Sequence, residues 1–399
     1  MDHMPGIFRN ILFFFSLLLS ISLPAHAQDW TSLTENLNRK IIPMPDTLSS
    51  RHALSPAMAF WKGDLYVAWT EPDEHGIHQT YIKKLKEGKP WETFGKSQNR
   101  DRTVPSAFPS LGSNGKTLFL SWVEKNNANI SQLYVKEWTG SEWVFLGDSL
   151  NMNPDREART PTLAFQAETP YLAWSESGEK EWSKLYVKHW DGKSWISDGP
   201  GFGLEERRTT LKPALIFEGK TGHLVWPEAG DSRVFQILHA KLENGKWSLD
   251  SKPLNHDPMM QAFNPSLSLF NGTPYLAFQE KKPEGDFKLQ LRHLTPGGWE
   301  DDGSKIPDNR LKIFNPVLAS VKEFLFIAWE EWDPLGNPRI AVASLSSSGN
   351  IKVEAPLNES LEHFGLNPVL LSEDHRAFLA WKENNAEGLY QIRIKKYAP

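Results

Sequence analysis

Seven times along this chain an aromatic residue and a glutamate stand two positions apart. The pairs are Trp69 and Glu71, Trp122 and Glu124, Trp174 and Glu176, Trp226 and Glu228, Phe278 and Glu280, Trp329 and Glu331, and Trp381 and Glu383. A carboxylate beside an aromatic ring can do two kinds of chemistry. It can move a proton as a general acid or base, or it can hold the hydroxyls of a ligand whose apolar face the ring covers. A reaction needs such a pair once, whereas these pairs recur at spacings of 51 to 53 residues. A residue type kept in every unit, whatever the neighbouring loop, is what a shared packing need produces. The fourteen positions are therefore expected to be joints, each aromatic wedged between sheets and each carboxylate accepting backbone or arginine hydrogen bonds that tie a loop to the next unit.

Chemistry that differs from unit to unit must then come from the loops. Five residues before a recurring proline stand Arg51, Arg156, Arg208 and His363 in four units, but Val104, Met260 and Leu311 in the other three. Arg100, Arg102, Arg159, Arg207 and Arg310 lie in the same loops, and Trp182 and Trp332 follow Glu176 and Glu331 in otherwise polar stretches. Solvated charge and salt bridges to the glutamates are the plainer reading of the arginines. The functional reading has guanidinium and carboxylate converging in clefts between units, where they hold hydroxyl or acidic groups while an indole covers the ligand. Arg156, Arg208 and Trp182 are the trio expected to line one such cleft. His75 and His78, with His52 and His363, fall near one junction, but this spacing in a loop is a weak metal signal, and neither a metal nor a cofactor is expected.

The elements that position these residues follow from the repeat. Thirteen residues before each aromatic stands a proline (Pro56, Pro109, Pro161, Pro213, Pro265, Pro316 and Pro368). Within a unit the segments are short, alternating and rich in β-branched and aromatic residues, as in PTLAF, PYLAWSE and KLYVKHW, with turn residues between them. Four strands in about fifty residues make a propeller blade. The expected fold is all-β, a seven-bladed β-propeller. The prolines open the innermost strands and the Trp-x-Glu pairs end the second strands, so both lie on the face that carries the interblade loops. Trp91, Trp143, Trp195, Trp247 and Trp299 open the fourth strands, and Ile351 takes that place in unit six. The seventh unit ends before its fourth strand. QDWTSLTENLN, residues 28 to 38, aligns with SEWVFLGDSLN, residues 141 to 151, so the N-terminal strand is expected to complete the last blade and leave no open sheet edge.

The apolar run at residues 11 to 23, followed by Ala25-His26-Ala27, reads as a signal peptide over 1–27, with one propeller domain over 28–399 and an exported protein, periplasmic or secreted. No later segment is apolar for eighteen residues, so no membrane span is expected. The absence of cysteine excludes disulfides and thiolate metal sites, and a net charge of −5 gives no reason to expect nucleic acid as partner.

The unit P-x-L-A-F…P-Y-L-A-W-x-E…L-Y-V-K-x-W resembles secreted bacterial propeller repeats of the sialidase-like superfamily in the loose sense, and is broadly similar to tandem-repeat propeller lectins. The resemblance implies sugars bound between blades against Arg, Glu and Trp. It does not imply sialidase chemistry. The Asp-box pattern S-x-D-x-G-x-x-W is absent, and the eight tyrosines fall in second or third strands, away from the axis where a Tyr nucleophile would stand. The expected function is a non-catalytic binding module for a glycan or a cell-envelope protein, with a sialidase-like glycoside hydrolase as the alternative.

Overall fold

The computed structural model describes residues 30–35, 37–38, 52–179, 182–203, 207–302 and 312–397. They form seven antiparallel sheets, each with the strands in chain order except the last. The blades start at Leu54, Ser106, Ala158, Thr209, Ala262, Lys312 and Gly365. First strands of neighbouring blades pack against one another in cyclic order and close on themselves, so they wall a central channel. Between blades the sheets bury both faces, and the second strands are almost continuously buried, as in Thr169–Ser177 and Thr221–Ala229.

The last sheet runs from Gly365–Glu373 through Arg376–Asn384 and Tyr390–Tyr397 to Trp30–Ser32. Trp30 pairs with Tyr397 and Ser32 with Lys395. Beyond the strand, Leu33 N–H donates to the Ile394 carbonyl (2.8 Å), and the Asn38 amide both donates to and accepts from the Ile392 backbone (2.9 and 2.7 Å). The ring therefore closes with the N-terminal strand in the outermost place of blade seven. Deleting residues 30–38 is expected to turn a cooperative thermal transition into aggregation, because it strips the outer edge of Tyr390–Tyr397 and uncovers the buried Trp30 site. Light scattering during a thermal ramp checks this, and a monomer with an unchanged Tm would count against closure.

The prolines do not open the first strands but sit inside them. In six blades the residue before the proline has positive φ, from 46° at Thr160 to 54° at Asn367, and the ladder to the second strand slips there. This is a β-bulge in a conformation that a pre-proline residue ordinarily avoids, held by packing on both sides. Three of the six are asparagine, which tolerates it best. Blade four departs: its inner strand is broken into Thr209–Thr210 and Ala214–Glu218, and Lys212, before Pro213, is not among the positive-φ residues.

Candidate functional site

The joints decide which polar groups are already used. The aromatic of every pair is buried, fully so in Trp69, Trp122, Trp174, Trp226, Phe278 and Trp381. Five indole N–H groups donate to the glutamate two residues on, at 2.9 Å in Trp69, Trp122 and Trp226, 3.0 Å in Trp174 and 2.6 Å in Trp381. The same carboxylates reach the preceding interblade loop. Glu124 accepts the N–H groups of Arg100 and Asp101, Glu176 those of Met152 and Asn153, and Glu280 those of His256 and Asp257. Glu383 accepts Glu359 N–H and His363 Nδ1. Burial pushes Glu124 and Glu383 up, while the indole and N–H donors pull them down. Phe278 brings no donor, and Trp329 Nε1 finds no acceptor among the described residues. An asparagine works beside the carboxylate: Asn99, Asn151 and Asn255 each accept a third-strand N–H and donate to the carbonyl five residues on.

The loop residues are engaged in the same way. An Arg208 Nε lies 3.7 Å from Glu228 Oε1, and the guanidinium lies over Gly230, where a Cβ would meet Cζ at 2.7 Å. Arg156 donates to the Gly178 carbonyl (2.5 Å), Gly178 N–H to the Trp182 carbonyl (2.7 Å), and Ser183 N–H to the Arg208 carbonyl (2.9 Å). The trio Arg156, Trp182 and Arg208 thus converges on one hairpin, with the two arginines bound to backbone and carboxylate. Arg51 and Arg310 lie outside the described residues. His52 accepts Tyr390 N–H at Nδ1, so with His363 on Glu383 both interblade histidines are engaged. At blade two a cavity of about 490 Å³ is lined by Arg100, Glu124, Asn126 and Tyr134, yet Arg100 stacks over Tyr134 (5.3 Å) and pairs with Asp148 (2.5 Å).

A different cluster breaks the sevenfold pattern at the mouth of the channel. Between each aromatic and its glutamate stands Thr70, Val123, Ser175, Pro227, Gln279, Glu330 or Lys382; before each proline stands Ser55, Phe108, Thr160, Lys212, Asn264, Asn315 or Asn367. In blades five to seven these two columns bond to one another across the blade boundaries. Asn264 Nδ2 donates to Gln279 Oε1 (3.0 Å) and Asn315 Oδ1 (2.6 Å), and Asn315 N–H donates to Gln279 Oε1 (2.8 Å). Asn315 Nδ2 donates to Glu330 Oε1 (2.6 Å), which also accepts Asn367 N–H (2.6 Å), and Trp332 Nε1 lies 3.4 Å from Glu330 Oε2. Glu330 and Gln279 are buried. Desolvation lowers Lys382, against the pull of Glu330.

Outside this cluster runs an arc of five half-buried rings. Phe235, Phe263, Phe287, Phe314 and Trp332 follow one another at centroid distances of 5.1, 5.9, 5.4 and 5.5 Å. Phe263 pairs across the ladder with Gln279, and Phe314 with Glu330, so arc and amides are adjacent. The corresponding first-strand positions in the first three blades, Leu54, Ala107 and Arg159, carry no aromatic ring. Of these residues only Trp332 is singled out by sequence reasoning. The signal for the rest was present in the columns that change with blade number, beside the columns that do not.

No protein-family model matches this chain, and no curated protein sequence matches it. Among solved structures the chain is similar to the polysaccharide lyase Uly1 (TM-score 0.58, 9% identity, covering 89% of this chain and 91% of that one). It is also similar to the propeller domain of the Trilobed protease from Pyrococcus furiosus (TM-score 0.53, 10% identity, 86% and 94%). The six-bladed fucose lectin of Aleuria aurantia superposes less well (TM-score 0.45, 14% identity, 76% and 95%). At such identities the likeness shows the fold alone, a β-propeller, and the seven sheets of this chain give the blade count.

Proposed function

We propose that the protein is an exported binding module that takes up a glycan at the channel mouth of blades four to seven. The observation that carries this reading is the junction of an amide–carboxylate chain, Asn264 to Asn315 to Glu330, with an arc of aromatic rings. The amide groups left open along this chain, Asn264 Oδ1 and the exposed Asn367 side chain, meet hydroxyls in both directions, and the rings cover the apolar face of a pyranose. Interblade clefts are less suited to that task, since their carboxylates and arginines are spent on the loops. Glu330 is buried and held by Asn315, Asn367 and Trp332, so it is read as an anchor of the chain and the module as non-catalytic.

Asn367 offers a clean test, because its side chain is exposed and makes no hydrogen bond among the described residues. Screening the chain on a glycan array and titrating the best binder calorimetrically, Asn367→Gly, which removes the amide and accepts the left-handed backbone at this bulge, is expected to weaken affinity by about fivefold to tenfold with little change in Tm. Loss of binding in Arg100→Ala with Asn367→Gly silent would place the site in the blade-two cleft. Turnover of glycosides, abolished in Glu330→Gln, would favour the hydrolase.

A further inference from the structure

Blade four contributes a residue to the mouth that the other blades do not match. Of the seven residues before the prolines, Lys212 alone is ionisable; the others are serine, phenylalanine, threonine and three asparagines. The backbone departs from the repeat at the same place. Blade four has the broken inner strand, and Leu211 N–H donates to the Pro227 carbonyl (3.0 Å) in the break. Two independent irregularities, one in side-chain type and one in backbone path, thus coincide at one position beside the polar cluster.

The ammonium of Lys212 makes no hydrogen bond or ion pair among the described residues, and solvent reaches the side chain. Desolvation nevertheless lowers its pKa. The place of Lys212 before Pro213, between the two pieces of the blade-four inner strand, is the position that the pre-proline asparagines hold in blades five to seven. With no protein anion paired to it among the described residues, this cation is open to an incoming carboxylate. Asn264 and Asn367 hold the same pre-proline position in blades five and seven, with Asn264 Oδ1 and the Asn367 amide unbonded among the described residues, and Lys382 adds a second positive charge within electrostatic reach of Glu330.

Resting on the glycan reading above, we infer that the ligand is an acidic glycan whose carboxylate-bearing unit enters the channel mouth, its carboxylate on Lys212 and its hydroxyls on Asn264 and Asn367. A peptide C-terminus offers the same carboxylate. It lacks the flanking hydroxyls for which several amides are arranged, and the arc beside the mouth suits a run of ring-shaped units better than a single side chain.

The test uses an array carrying uronate- and sialate-containing glycans, their methyl-esterified forms, neutral glycans and peptides with free C-termini. Binding is expected for carboxylate-bearing glycans, about tenfold weaker for the matched esters and falling as salt rises. Lys212→Met should reduce affinity for the acid about tenfold while leaving that for the ester unchanged, and Lys212→Arg should keep the preference. Equal affinity for acid and ester, or a silent Lys212→Met, overturns the assignment of charge while leaving the glycan reading standing. Binding of peptides alone, or of nothing on the array, overturns both.

Discussion

Replacing Trp174 by alanine is expected to lower the unfolding free energy by about 3–5 kcal/mol, the range for truncating a large buried aromatic. Its ring is fully buried and packs with Leu133, Val135, Leu150, Ala158 and Leu172 from blades two and three. The loss has a polar part as well. Without the indole N–H, Glu176 keeps Met152 and Asn153 as donors but loses the third bond that orients it. Glu176→Leu reverses the fault, leaving three donors with no acceptor, and is expected to cost about 2–3 kcal/mol. Denaturant titration of both variants checks this. Because six other joints remain, the transition should shift without losing the far-ultraviolet signature of the sheets, and stability should suffer before any ligand affinity does. A Glu176 variant of native stability that had lost binding would return the carboxylates to the list of ligand contacts.

Acidification is expected to destabilise the protein between pH 6.5 and 4 through a buried histidine pair. His223 and His239 stack at 5.4 Å with an interplanar angle of 10°, joined by a hydrogen bond of 3.2 Å from Nδ1 to Nε2. His239 Nδ1 in turn lies 2.7 Å from Asp250 Oδ2. With the Nδ1 proton of His239 on Asp250, its Nε2 accepts from His223. That leaves His223 Nε2 buried without a partner, 3.9 Å from Glu218. Desolvation, helped by His239 and Lys241, lowers the His223 pKa to about 4; Glu243 and Asp250 pull weakly the other way. The folded protein therefore binds fewer protons here than the unfolded chain, whose histidine titrates near 6.5. Stability from this group is complete above that value and declines as pH falls towards 4, by about 3 kcal/mol in all. A series of Tm measurements across this range should show the decline, and His223→Phe should flatten it. An identical pH slope in the variant would show that carboxylates elsewhere govern acid unfolding.

The mouth of the channel shows why parts of this protein were legible and others were not. The proline and Trp-x-Glu columns are constant because each blade must bury the same wedge and tie the same loop, and constancy at one period survives in a single chain. Residues such as Gln279, Glu330 and Lys382 fall in one column but have different chemistry, so no periodic search selects them. Blade Arg208 and His363, equivalent in sequence, both turn to the glutamate of their own blade, and nothing in their spacing distinguishes that from an open cleft.

The sequence by itself determined the number of blades and the strand that closes the ring, since both follow from local alternation repeated in register. Trp30 aligned with Trp143 before any strand was paired, and Trp30 does pair with Tyr397. Only the tertiary structure decided that six of the prolines follow bulges, that Arg100, Arg156, Arg159 and Arg208 are tied down, and that Asn264, Asn315 and Glu330, drawn from two blades, form one hydrogen-bonded chain. The reason is physical. A repeat specifies what each unit must do to pack against its neighbour, whereas the axis is where seven units meet at once, and the chemistry there depends on which side chains face each other across blade boundaries 36 to 52 residues apart in the chain.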